Sequence, residues 1–357
     1  RCEKIHGKGW TEWRVAQHAA PRFEGHCQPK VPLWGYQDES DPAVMAQKID
    51  AATAYGIDAF IFDWYYFKDG LYRERCLNDG FLEAYNCEEI KFALMWANHH
   101  PHHSHPGTYA KPHEPAWSGT TDPDTFRRCT DYCIEHYLTR PNYLKIDGKL
   151  YYSIFLPEQM AIDVGGVDVL RSLLDDFRAR VNKAGLGQLL IDARVDGLPK
   201  INDGFDKANK FLLDAGFDIT SNYGWGGHYG PEFPALDYGV WFERNKPRIS
   251  DLCDKIKLPF NPVACMGWDC SPRTVQSDMF ENVGYPFGTI IVNNTPERFE
   301  KALRWLGKLT EEGKTGGMIT LACWNEWTEG SYLEPDTQYG YGYLNAIKNV
   351  FGKAEED

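Results

Sequence analysis

The sequence predicts an α/β fold in which parallel strands alternate with helices. Three observations carry that expectation. Seven short apolar runs lack polar alternation, capped helical segments lie between them, and nearly every run ends in polar or aromatic residues. Continuous apolar runs mark strands buried on both faces, as parallel strands are.

The runs occupy 59–64, 91–96, 150–155, 189–194, 218–223, 261–266 and 318–324. Asp41-Pro42 opens a helical pattern through Met45, Ile49 and Ala52, closed by Gly56. Asp122-Pro123 opens another through Phe126, Cys129, Cys133 and Tyr137, and 167–184 and 295–309 read the same way. Asp caps the first turn, Pro suits the first helical position, and Gly follows the last. Units of about 31 residues, lengthened by inserted loops, suit a (β/α)8 TIM barrel. Eight strands are needed and seven are visible. The stretch 1–37 reads as loop, so the expectation is a barrel whose first strand is missing from this chain. No linker or compositional break divides 1–357, which reads as one domain.

A chain of 357 residues, 43% hydrophobic, can bury a sizeable core. Its formal net charge is −13 and it has no basic run. That argues against nucleic acid and anionic membrane surfaces as partners, while a neutral glycan fits. No apolar stretch is long enough to span a membrane. The first residue is Arg rather than Met, so the compartment stays open, and nothing in the sequence sets the oligomeric state. Ten cysteines are scattered without CxxC pairs. They read as free thiols and lean to a reducing compartment, although a polysaccharide role allows periplasm or secretion. No P-loop, GxGxxG after a strand, GxSxG elbow or EF-hand pattern occurs, which removes support for phosphoryl transfer and serine hydrolysis.

The most informative stretch is Trp324-Asn325-Glu326-Trp327-Thr328-Glu329-Gly330, directly after the last apolar run. Two carboxylates at a strand end can move protons and stabilise oxocarbenium-like charge, and indoles can stack on sugar faces. Three residues apart, Glu326 and Glu329 share a side if the chain turns helically there. A separation of about 5–6 Å suits a retaining pair, whereas an inverting pair needs about 6.5–9.5 Å.

Catalytic groups of such barrels gather at the C-terminal strand ends. Asp63 and Asp192 are read either as orienting substrate hydroxyls or as internal hydrogen bonders. Arg194 should pair with Asp192 or Asp269. Trp64, Trp96, Trp225, Trp268 and Trp324 are candidate sugar platforms, with core filling as the alternative for each. Tyr65, Asn98, Arg194, Asn222, Tyr223, Asp269, Asn325, Tyr332 and Glu334 complete the candidate binding set. Trp10, Glu12 and Trp13, in a first loop over the mouth, are candidate pocket walls, with plain loop packing as the alternative. The histidine-rich stretch 99–105 lacks HxxxH or HExxH spacing and is interrupted by proline. It reads as a solvated loop rather than a metal site, with His99 within reach of a glycan.

Gly7-Lys8-Gly9-Trp10-Thr11-Glu12-Trp13, Phe23-Glu24-Gly25-His26, Asp41-Pro42, Tyr55-Gly56-Ile57-Asp58-Ala59-Phe60, Trp96-Ala97-Asn98, Gly267-Trp268-Asp269, the Trp324–Gly330 motif, Leu333-Glu334-Pro335-Asp336 and Tyr339-Gly340-Tyr341 carry a resemblance. Together they are similar to WbsX-type, glycoside-hydrolase-family-99-like proteins, nearly end to end. The resemblance implies a (β/α)8 barrel acting on an oligo- or polysaccharide without metal or cofactor. Family 99 proper comprises retaining endo-α-mannosidases whose Asn-Glu-Trp-x-Glu motif matches Asn325 to Glu329. By that match, Glu326 deprotonates a sugar 2-hydroxyl, which attacks C1 to give a 1,2-anhydro sugar. Glu329 protonates the leaving oxygen and then activates water. The family begins with an aromatic-rich strand that this chain lacks, and its WbsX branch carries a glycosyltransferase label. The implied function is therefore a glycoside hydrolase cleaving an α-linked, mannan-like glycan. A glycosyltransferase or transglycosylase of surface-polysaccharide assembly, or a non-catalytic glycan-binding barrel, is the alternative.

Overall fold

The computed structural model describes residues 5–196, 198, 204–226 and 232–352. β1 (Ala59–Phe67) folds back on the short β2 (Gly70–Tyr72) and pairs in parallel with β3 (Lys91–Trp96). β4 (Lys145–Ile146) forms an antiparallel flap on β5 (Lys149–Ile154), which lies beside β3. β6 (Leu189–Arg194) and β7 (Ile219–Ser221) extend the parallel order. A short β8 covers Ala235–Asp237. β9 (Phe260–Asn261) pairs with β7, and β10 (Val263–Cys265) resumes the same strand position beyond Pro262. Proline has no N–H to give the ladder, which accounts for the break. β11 (Ile290–Val292) pairs with β8 away from the main sheet. β12 (Thr320–Ala322) pairs with β10, and a hairpin of β13 (Asn325–Glu326) and β14 (Ser331–Tyr332) follows.

The helices between them start where the sequence indicates. Pro42–Ala54 is capped by the Asp41 carboxylate, which accepts from the Ala43 N–H at 2.9 Å. Pro123–His136 is capped by Asp122 on the Thr125 N–H at 2.8 Å. Val167–Lys183 and Pro296–Glu311 complete the expected set. Gly216 ends the helix Phe205–Ala215 at φ 83°, a left-handed conformation that side chains resist.

The result is an α/β fold with a mostly parallel sheet. All seven expected runs carry strands, but the later ones are shorter than the apolar runs that announce them. Among the described residues no strand joins β12 to β1. An open groove of about 2060 Å³ runs between them, and Phe60, Ile61, Phe62, Ile319 and Leu321 stand half-buried along it. The expectation is a barrel without its first strand; the described residues show a mostly parallel sheet that does not close.

One hydrophobic cluster fills the interior and takes in three of the expected sugar platforms, Trp64, Trp96 and Trp225. Trp225 stacks on Phe242 and donates its indole N–H to the Val263 carbonyl at 2.8 Å. The nine cysteines among the described residues are free, and Cys129, Cys133, Cys265 and Cys270 are buried. No helix among the described residues is long and apolar enough to cross a membrane.

Candidate active site

Glu326 and Glu329 lie at the C-terminal end of the parallel sheet, beyond β12. The chain turns from β13 into a single 3-10 turn, Trp327–Glu329, and Gly330 reverses it at φ 60° into β14. A Cβ at Gly330 would sit 2.6 Å from the Asp269 Cβ, so this turn needs glycine for space as well as for its backbone angle. The turn brings both carboxylates to the same side.

One guanidinium meets both. Arg273, buried at 7% exposure, donates Nη1 to Glu329 Oε1 at 2.5 Å and Nη2 to Glu326 Oε1. Its Nε donates to Thr328 Oγ1 at 2.8 Å, so the fork engages the whole turn. Tyr285 donates its hydroxyl to Glu329 Oε1 at 3.0 Å. Glu12 approaches from the N-terminal loop. It pairs with Arg73, with its Oε1 3.5 Å from His105 Nε2 and its Oε2 3.9 Å from Arg273 Nη2.

Burial pushes the Glu326 carboxyl up to about 8; Arg273 pulls it down, while Glu329 and Glu12 push it up. Burial likewise raises Asp63 to about 6, against the opposing hydrogen bond from Tyr223 and the charge of Arg194. Tyr223 donates its hydroxyl to Asp63 Oδ2 at 3.1 Å. Burial lowers His99 to about 4, helped by the positive neighbours His102, Arg73 and Arg273. The imidazole is neutral at neutral pH, and its Nδ1 has no partner among the described residues.

These groups line a cleft of about 420 Å³. Asp63, Tyr65, His99, Tyr223, Trp268 and Trp10 share it with the two glutamates. Tyr65 and Phe155 meet His99 edge-on at 5.6 and 5.8 Å, and Trp10 stands edge-on to His105 at 6.0 Å. Among the described residues no group of three His, Cys, Asp or Glu side chains is placed to hold a metal ion.

Other sequence candidates stand behind the cleft. Asp192 is fully buried, and its Oδ2 accepts from Tyr151 (2.8 Å), Ser153 (2.7 Å) and Ser221 (2.6 Å). Arg194 pairs with Asp192 at 3.6 Å and donates to the Asn222 carbonyl at 3.0 Å. Asp269, the other partner considered for Arg194, is taken by His26 and Gln28 at 2.8 and 2.6 Å. Asn98 clamps both backbone groups of Leu156, and Asn222 receives the Val263 N–H at 2.9 Å. Trp324 packs on Phe60 at 5.1 Å beside the open groove. Tyr332 stacks on Trp327 at 3.7 Å and donates to Asp336. Asn325 donates to Glu39 at 2.6 Å, and Glu334 accepts from Trp327 at 2.7 Å. Lys48, 1% exposed, joins Glu39 and Glu334 at 2.5 Å each.

Arg273, Tyr285, Arg73 and Lys48 escaped sequence reasoning. Arg273 had a weak signal, because it stands four residues beyond Asp269 in a loop that follows a strand end. Lys48 had none, since a lysine in an amphipathic helix ordinarily faces water.

Comparison with known proteins sets this geometry in a family. The model of the WbsX glycosyltransferase family matches residues 2–347. The chain belongs to the WbsX family. It is 26% identical over 371 residues to the uncharacterized WxcX proteins of two Xanthomonas campestris pv. campestris strains, B100 and ATCC 33913. That match covers 98% of this chain and 47% of theirs, so this WbsX-family chain spans about half the length of the curated relatives it matches. Among solved structures it is similar to a GH99 endo-α-mannosidase from Bacteroides thetaiotaomicron in complex with bis-tris-propane. There the TM-score is 0.58 and the identity 14%, over 90% of this chain and 86% of that one. A glycoside hydrolase-like protein matches at TM-score 0.61 and 13% identity, over 97% and 100%. At such identities the likeness is one of fold.

Proposed function

We propose that this WbsX-family chain is a glycan-active enzyme, a retaining glycoside hydrolase that cleaves an α-linked, mannan-like glycan from within. The observation that carries the reading is the pair Glu326 and Glu329, held by one guanidinium in a cleft walled by Trp10, Trp268, Tyr65 and His99. A fork that reaches both carboxylates supports the short separation of a retaining pair. The likeness to GH99 structures supports a barrel frame, and we read 1–357 as one domain of a (β/α)8 barrel with the position between β12 and β1 open.

In this reading Glu326 takes the proton of a sugar 2-hydroxyl while O2 attacks C1. The C1–O bond to the leaving sugar breaks, and Glu329 delivers a proton to the departing oxygen. Water then attacks C1 of the 1,2-anhydro sugar with Glu329 as base, and Glu326 returns a proton to O2. A base raised to about 8 ionises fully only above that pH, so turnover falls as pH drops through 8. The neutral His99 ring, with a free Nδ1, is suited to a hydroxyl contact.

The test is a panel of α-mannans and other polysaccharides with reducing-end detection, run on wild type, Glu326→Gln and Glu329→Gln. The expected outcome is product from wild type and nearly none from either variant, with circular dichroism unchanged. Wild-type turnover in both variants overturns the assignment. The family's glycosyltransferase description favours a second reading, sugar transfer, which requires dependence on an added sugar nucleotide or acceptor glycan.

A further inference from the structure

We propose that Arg273 is the positioning residue of the glutamate pair: its fork sets the spacing of Glu326 and Glu329, and its cation favours the ionised form of Glu326. The inference deepens the reading above and rests on it for the word catalysis alone, since the geometry stands without a substrate.

Three features separate Arg273 from an ordinary buried ion pair. First, all three nitrogens of the guanidinium are engaged by one turn, with Nη1 on Glu329, Nη2 on Glu326 and Nε on Thr328 between them. A planar fork fixes two carboxylates at a set distance, which a lysine ammonium cannot do. Second, the Arg273 segment is itself anchored. Ser271–Arg273 forms a 3-10 turn behind Asp269, whose Oδ1 accepts the Ser271 N–H at 3.0 Å and whose Oδ2 is held by His26 and Gln28. Third, a further acid stands at the outer side of the fork. Glu12 Oε2 lies 3.9 Å from Nη2 and takes a separate cation, Arg73. Arg273 thus faces three carboxylates, with Arg73 relieving the third.

The groups facing Glu326 come from every neighbouring element. Tyr65 is on β1, Arg73 follows β2, Glu12 is in the N-terminal loop, Tyr223 follows β7, Cys270 and Arg273 lie in the loop after β10, and Cys323 follows β12. Glu329 is on its own turn. Removing Arg273 leaves Arg73, already committed to Glu12, as the cation acting on Glu326. A carboxylate that loses an adjacent cation becomes harder to ionise by about 1–3 pH units.

The experiment needs no glycan. Wild type, Arg273→Gln and Arg273→Lys are labelled with 13C at glutamate carboxyls, and the Glu326 resonance is assigned by its loss in Glu326→Gln. Titration is expected to place Glu326 near 8 in wild type, higher by about 1–3 pH units in Arg273→Gln, and back toward wild type in Arg273→Lys. An unmoved Glu326 titration in folded Arg273→Gln overturns the proposal. Should that variant not fold, Arg273→Lys decides. It keeps the charge and loses the fork, so kcat is expected to fall by about 10²-fold with little change in KM. Wild-type kcat in Arg273→Lys, or a loss confined to KM, overturns the positioning role. If Glu326→Gln and Glu329→Gln both turn over glycan normally, the functional reading falls while the titration result stands.

Discussion

Replacing Asp192 by Asn separates two readings of an acid at a strand end. In the structure this carboxylate is sealed inside the sheet, accepting three hydroxyls on Oδ2 and facing the Arg194 guanidinium at 3.6 Å. Asparagine keeps the shape and an oxygen for the three hydroxyls at the Oδ2 position, but it removes the charge that faces Arg194. Arg194 then stays buried at 4% exposure, keeping Ser153, the Asn222 carbonyl and the more distant charges of Asp196 and Asp63. Removing one partner of a buried pair costs about 3–5 kcal/mol. For a chain of this length that lowers Tm by roughly 4–7 °C. The assay is thermal unfolding followed by tryptophan fluorescence, with urea unfolding as a check on two-state behaviour. A Tm within about 1 °C of wild type, coupled to weaker glycan binding, refutes the reasoning and returns Asp192 to the substrate.

Other perturbations follow the same logic. Glu326 has a folded value raised to about 8 against an unfolded value of 4.5, so between them the native state binds more protons and stability falls as pH rises. Glu326→Gln should therefore gain Tm relative to wild type on going from about pH 5 to about pH 9; a constant difference argues against the buried, proton-holding carboxyl. Lys48→Met leaves Glu39 and Glu334 without their shared cation, and urea unfolding should show a loss of about 3–5 kcal/mol. A stable Lys48→Met variant would show that the loop does not depend on that bridge. His99, lowered to about 4 by burial, should remain neutral by 15N NMR down to about pH 5. A ring protonated at about pH 6 contradicts its placement in the wall of the cleft.

Much of the frame was legible because it rests on local chemistry. Asp41-Pro42 and Asp122-Pro123 open helices through side-chain caps that depend on neighbouring residues alone. The apolar runs mark strand positions because parallel strands shed polar residues from both faces. The shortening of the last strands was not legible, since Pro262 interrupts one ladder and Thr320–Ala322 has, among the described residues, a partner on one side only. The β8–β11 pair is three residues on each side, too short for periodicity to register. At the site, the Glu326–Glu329 spacing placed both acids on one turn. It left open which strand-end aromatics face the cleft, because that depends on the direction of each side chain rather than on its distance from the strand end. Trp96 points into the core against Phe126, and Trp268 lines the cleft. Arg273 lies in a loop without periodicity, where only the fold brings it to the acids.

The loop carrying the acids is held largely by charge. A strand paired on both edges hands its following loop a rigid start. β12 has the β10 ladder on one edge, and on the other the contact between Trp324 and Phe60 across the groove. The loop is then held by side chains. Lys48 gathers Glu39 and Glu334 behind it, and those two carboxylates hold Asn325 and the Trp327 indole. Arg273 gathers Glu326 and Glu329 in front. Each cation makes the burial of two acids tolerable, and each would be costly to leave unpaired. The motif is thus held by two shared cations, the Lys48 ammonium and the Arg273 fork.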